Sequence, residues 1–245
     1  AIWWLDARAP TRIDPPVRGG FKADAGTFVG RATFKGRPIV MRFRWNDVHG
    51  ARPWWEQAFS PDDGRSWEVN WRNYFTRTSK TPVALPRLGD APKDFDFLVG
   101  RWKVSHRRLR ERLVGSDQWD EFGGTLANWP VLGGKGNVGD NVMEFPKGTV
   151  RGVGLRAFDE ASGEWSSWWL DNRDPSNIAA PVRGRFGSDG IGTFIGDDTL
   201  NGRAVKTRVT WSRITPTSAR WEQSSSGDGG KTWESNWVSD FARVT

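Results

Sequence analysis

Apolar and polar residues alternate along most of this chain, and the alternation has the two-residue period of an extended backbone. In "RWKVSHRRLRERL", Trp102, Val104, His106 and Arg108 fall on one side of such a strand. Near the end of the chain Trp237, Ser239, Phe241 and Arg243 do the same. Val205, Val209 and Trp211 share a side, as do Ile39, Phe43 and Trp45 earlier on. Residues 95–245 contain about ten such runs, among them "QWDEFGGTLANW", "VRGVGLRAF", "WSSWWLD" and "ESNWVSDFARV". Glycine, proline and aspartate punctuate them, and helical periodicity is nearly absent. The pattern predicts short strands joined by tight turns in an antiparallel meander. Many short strands favour closure, because a closed barrel leaves no unpaired edge. The predicted fold is all-β, an antiparallel barrel of about ten strands.

The chain also repeats itself. "WWLDAR" at Trp3–Arg8 returns as "WWLDNR" at Trp168–Arg173, and "PPVRG" at Pro15–Gly19 returns as "APVRG" at Ala180–Gly184. Trp55-Glu56-Gln57 matches Trp221-Glu222-Gln223, and Phe75-x-Arg77 matches Phe241-x-Arg243. "SPDDGRSW" at Ser60–Trp67 and "SGDGGKTW" at Ser226–Trp233 both fit the Asp-box that resembles a sialidase blade signature. Sialidase blades, however, recur every ~40–50 residues, and these copies lie 166 apart. A sialidase also needs a tyrosine nucleophile, and Tyr74 is the only tyrosine. The box therefore reads as a hairpin turn, its Asp and Gly permitting a tight reversal.

The spacing indicates a duplicated domain. Residues 1–78 match only the later part of the second copy, and "SKTPVALPRLGDAPKD" at 79–94 reads as a linker. The expected organisation is the second half of a first barrel at 1–78, a linker at 79–94 and a complete barrel at 95–245. The opening strands of the first barrel are expected either before Ala1 or from a partner chain, as in a homodimer.

Gly100-x-Trp102 at the head of the first strand of this barrel, with Arg243 on the last, resembles lipocalins and related calycins. In those proteins the first-strand tryptophan packs under an arginine of the last strand. With "NWPVLGGKGNVGDN" between the second and third predicted strands, the chain is similar to a bacterial calycin-like family of unknown function, and more distantly to nitrobindin. The resemblance covers 95–245 in full and 1–78 in part. It implies a calycin/lipocalin-like barrel with Trp102, Val104, His106 and Arg108 facing inward, opposite Trp237, Ser239, Phe241 and Arg243. Nitrobindin holds haem through a histidine late in its chain. The last-third strands here contain none, so haem does not carry over.

Composition narrows the chemistry. The 245 residues include 17 Trp, 29 Gly, two His and no Cys. A disulfide framework and thiolate chemistry are excluded. Two histidines with no close carboxylate spacing do not make a zinc site, and no cofactor is expected. The net charge is +7, with residues 1–94 carrying 16 Lys and Arg against 10 Asp and Glu, and the remainder 20 against 19. The basic residues are scattered through strands with no Lys/Arg block, which argues against nucleic acid as a partner. No apolar run approaches the ~20 residues of a membrane span, and a cytoplasmic location is expected. "LGGKGN" at Leu132–Asn137 lacks the ending and helix of a phosphate loop.

The expected function is binding of a small apolar or aromatic molecule inside the second barrel, with tryptophans as walls. Trp169, Trp221 and Trp237 are the candidate walls, and His106, Arg108 and Gln223 the polar anchors. Asp171 and Arg173 are added as a charged pair on the Trp169 side of "WWLDNR", the side that the doubled tryptophan favours as inward. An excess of arginine over acid inside would suit a carboxylate or phenolate. The rival reading is an enzyme on the same scaffold, a cyclase, isomerase or lyase with His106 as acid–base group. Sugar binding through surface-aligned tryptophans is a third.

Overall fold

The computed structural model describes residues 1–81 and 86–244. The chain divides into two compact units, 1–83 and 84–245. Within the expected linker, residues 82–85 lie outside the described residues. Part of its remainder belongs to the second unit, where Leu88 N–H donates to Gly133 O and Arg87 pairs with Asp96 at 2.7 Å.

The first unit is a five-stranded antiparallel sheet in sequence order. Its strands are β1 (Arg18–Lys22), β2 (Ala25–Phe34), β3 (Arg37–Asn46), β4 (Trp54–Ser60) and β5 (Glu68–Tyr74).

The second unit is a closed ten-stranded antiparallel barrel. It begins with β6 (Gly100–Leu109), β7 (Trp119–Val131), β8 (Gly136–Phe145), β9 (Gly148–Asp159) and β10 (Glu164–Asp171). It continues with β11 (Val182–Phe186), β12 (Gly192–Leu200), β13 (Arg203–Ser212), β14 (Ser218–Ser226) and β15 (Glu234–Arg243). Each strand pairs with its sequence neighbours, and β15 closes the ring on β6 in a register that sets Arg243 opposite Trp102 and Ser239 opposite His106. The all-β expectation and the first-to-last closure are what the structure shows.

Alternation explains which side chains fill the interior. On β6 Trp102, Val104 and His106 are buried while Arg101, Lys103, Ser105 and Arg107 are exposed. On β13 Val205, Thr207, Val209 and Trp211 are buried. The end of the barrel where β6 starts is plugged by aromatic packing: Phe95 meets the Trp165 ring edge-on at 4.9 Å and lies 5.8 Å from Phe194. A single helical turn at Asp96–Leu98 crosses this end and accepts the Trp102 indole N–H at Leu98 O, 2.8 Å away.

Arg243 locks that turn in place. Its guanidinium lies 4.2 Å over the Trp102 ring and donates to Val99 O and Pro216 O at 2.7 Å, and also to Phe97 O. Gly100 is required for this geometry. Its φ is +120°, and a Cβ there would come within 2.7 Å of Arg243 Nη1.

One irregularity shapes the interior. Between β14 and β15 the register slips after Gln223, so that Gln223 faces Trp237, Ser224 faces Ser235, and Asn236 is left over as a bulge. Asn236 is fully buried, accepting from Gln223 Nε2 at 3.0 Å and donating to Ser225 Oγ at 2.8 Å. The hairpin that follows β14 is the second Asp-box. Asp228 accepts from Ser226, Thr232 and the Lys231 backbone, holding its carboxyl well below the usual range. Arg208 lies 4.4 Å over the box tryptophan, Trp233.

Candidate functional site

Above the aromatic plug the barrel holds a cavity of about 270 Å³. Of the residues singled out from sequence, His106, Trp169, Trp221, Gln223 and Trp237 line it. Arg108, Asp171 and Arg173 do not. Trp169 shares an alternation side with Trp165 and Ser167, and its cross-strand partner Gly154 is also in the cavity wall. The ring of Trp169 fills space that a side chain on β9 would otherwise take, since a Cβ on Gly152 would approach it to 2.2 Å. Trp221 and Trp237 meet edge to face at 5.6 Å.

His106 is buried and stacked on Phe122 at 4.8 Å. Its Nδ1 lies 2.8 Å from Ser239 Oγ and 3.4 Å from Trp237 Nε1. An indole N–H can only donate. Nδ1 is therefore the acceptor, and the neutral ring carries its proton on Nε2, which finds no acceptor among the described residues. Burial pushes the imidazole down to about 4, so at neutral pH it is an uncharged ring in the cavity wall.

The three residues outside the wall have other partners. Arg173 grips Asp171 at 2.6 Å, and Asp171 also accepts the Trp169 indole N–H at 2.8 Å. The Arg173 hydrogen bond is the main reason the Asp171 carboxyl drops to about 2. The pair holds the Trp169 indole from beside it. Arg108 lies over the Trp237 ring at 4.9 Å and over Phe145 at 5.6 Å. Burial is the first cause lowering its pKa, followed by the charges of Arg112 and Arg173.

Several residues in the wall were not singled out from sequence, among them Trp168, buried on the opposite side of its strand from Trp169, and one cation. Arg156, on β9, projects inward between Asn137 of β8 and Ser167 of β10. It sits over the plug, 5.1 Å from Phe95 and 5.6 Å from Trp211. Burial lowers it to about 10, which leaves it charged at neutral pH. The signal for it lay in "VRGVGLRAF", where Gly152, Gly154 and Arg156 share a side. Two glycines in register leave room for large neighbours, here the Trp169 indole and the guanidinium.

Comparison with known proteins finds only remote likeness, to solved structures. No family model and no curated protein matches the chain. An S-type phycobiliprotein lyase from Guillardia theta is 14% identical with a TM-score of 0.43, over 62% of this chain and 92% of that one. A designed fluorescence-activating β-barrel is 14% identical with a TM-score of 0.35, over 62% and 99%. A protein of unknown function from the DUF3598 family of Nostoc punctiforme is 15% identical with a TM-score of 0.33, over 95% and 78%. At these values the likeness carries nothing about chemistry. Among the described residues no helix is long and apolar enough to cross a membrane.

Proposed function

We propose that the barrel at 95–245 is a calycin-like carrier that binds a small, largely apolar or aromatic molecule. The observation that carries this reading is the barrel cavity itself, walled by Trp169, Trp221 and Trp237 and furnished with a few fixed polar groups. Apolar burial at ~25 cal/mol per Å² supplies affinity. The neutral His106 ring and the Gln223 amide, held by Asn236 at 3.0 Å, are the polar groups of the wall available for orientation.

The enzymatic alternative asks His106 to move protons. Its Nδ1 is already engaged by Ser239 and Trp237, and burial holds it far below a working base at neutral pH. A fixed place in a binding wall fits that state better than catalysis. Sugar binding through surface indoles has little support in this unit, where Trp169, Trp221 and Trp237 all turn inward.

The five-stranded sheet of the first unit reads as a counterpart of β11–β15. Gln57 Nε2 donates to Asn70 Oδ1 at a register slip after Gln57, as Gln223 does to Asn236, and Arg42 lies 4.2 Å over Trp67 as Arg208 lies over Trp233.

The test of the carrier reading is a titration with naphthalenemethanol followed by tryptophan fluorescence, with mass spectrometry of the added compound afterwards. Saturable quenching with an unaltered compound is expected, and Thr207→Trp, which places an indole in the cavity wall, should abolish it. Undiminished binding to a folded Thr207→Trp would place the ligand elsewhere. Conversion of the compound, lost in His106→Gln, would favour the enzyme.

A further inference from the structure

We propose that the ligand of this barrel carries a carboxylate and enters head first, with that group seated against the Arg156 guanidinium above the aromatic plug. The inference rests on the cavity-binding reading and deepens it by naming the ligand's charge and orientation.

Arg156 is half-buried and lines the cavity, over Phe95 and Trp211. A guanidinium has five N–H groups and no acceptor. Here Nη1 donates to Asn137 Oδ1 at 2.9 Å, and that is its one protein acceptor among the described residues. Nε and Asn137 Nδ2 are buried without a partner, as is the acceptor Asn128 Oδ1, and these atoms lie out of a guest's reach; the guanidinium's remaining Nη N–H groups also have no protein acceptor among the described residues. A cation in the wall with unused N–H groups asks for an acceptor that carries negative charge.

No carboxylate of the chain answers. Arg156 forms no ion pair among the described residues, whereas Arg110, Lys135, Arg173, Arg185 and Arg220 of the same unit each hold an acid within 3.1 Å. The acids in the cavity wall, Asp197 and Asp198, are exposed and engaged with Lys206 at 2.8 Å and Thr207 at 3.1 Å. Arg108 is not part of the wall, so among the described residues Arg156 is the cation the cavity presents. A half-buried cation without an ion-pair partner is costly to the fold, and contacts with Phe95 and Trp211 would be made as well by an apolar side chain. A single charge balances a monoanion such as a carboxylate, whose two oxygens match the planar guanidinium fork. A phosphate dianion would call for a second cation. The indoles of Trp169, Trp221 and Trp237 are then left for the apolar body of the guest.

The experiment compares naphthoate with naphthalenemethanol, nearly isosteric and differing in charge, on the full chain at neutral pH. Tryptophan fluorescence reads binding to wild type, Arg156→Met and Arg156→Gln, and a thermal melt confirms that each variant is folded. Wild type should bind naphthoate at least tenfold more tightly than the alcohol. Arg156→Met should lose at least tenfold for naphthoate while its affinity for the alcohol changes less than twofold. If Met does not fold, Gln carries the same comparison. Equal binding of acid and alcohol by wild type, or naphthoate binding unchanged in a folded variant, would mean that Arg156 is met only by internal water. That result overturns the inference and leaves the cavity reading standing. If wild type binds neither compound, the cavity reading falls and the inference with it.

Discussion

Replacing His106 by glutamine should flatten the acid limb of this protein's stability. In the folded barrel the imidazole is pushed from 6.5 down to about 4 by burial, a group only 8% exposed. Above pH ~6.5 it is neutral in both the folded and the unfolded chain, and its protonation costs nothing. As the pH falls below that value the unfolded chain takes up a proton that the folded chain refuses. The equilibrium then shifts toward unfolding by about 1.4 kcal/mol per pH unit, until the folded form protonates near pH 4. The loss across the window totals about 3 kcal/mol, from a shift of about 2.5 units at 1.36 kcal/mol each. Glutamine retains an oxygen that can accept from Ser239 but does not titrate. Urea unfolding of both proteins between pH 7.5 and pH 4 isolates the effect, because all other groups titrate alike in the two. Wild type should lose about 3 kcal/mol more than His106→Gln over that range. With only two histidines in the chain, proton NMR provides a second readout, and one imidazole resonance should have its midpoint near 4. Parallel stability curves, together with a His106 resonance titrating near its ordinary value, would refute the buried, neutral assignment.

Two further substitutions probe the parts that hold the site. Arg243→Met removes the guanidinium over Trp102 and strands the carbonyls of Phe97, Val99 and Pro216. It should destabilise the protein by about 2–4 kcal/mol, measured by urea unfolding at constant m-value, and a loss below ~0.5 kcal/mol would show that the clasp contributes little. Gly152→Ala puts a methyl 2.2 Å from the Trp169 ring. It should swing that indole out of the cavity wall and weaken naphthalenemethanol binding several-fold, with a change in the fluorescence maximum; unaltered binding would remove Trp169 from the wall.

Much of the fold was legible in the residues, and the reason is that strand parity is a local property. Once Trp102 and Arg243 were anchored inward, His106 and Val104 on β6, and Trp237, Ser239 and Phe241 on β15, followed by counting in twos. The Asp-box turns could likewise be read from residue type, since Asp, Gly and Ser meet their partners within four residues of one another. Arg156 could not be read that way. In isolation it is one arginine in a strand of a basic protein, and only the closure of β8, β9 and β10 around a cavity turns it into a cation of the wall. The slip at Asn236 also needed a partner strand, because a bulge is a mismatch between two chains and has no meaning in one. Arg108, Asp171 and Arg173 have the alternation side expected of inward residues, yet neighbouring aromatics and each other's charges hold them outside the cavity wall. The sequence by itself determined which residues share a side of each strand. Tertiary structure decided which of those meet open space and which meet one another, since burial and pairing depend on residues far apart in the chain.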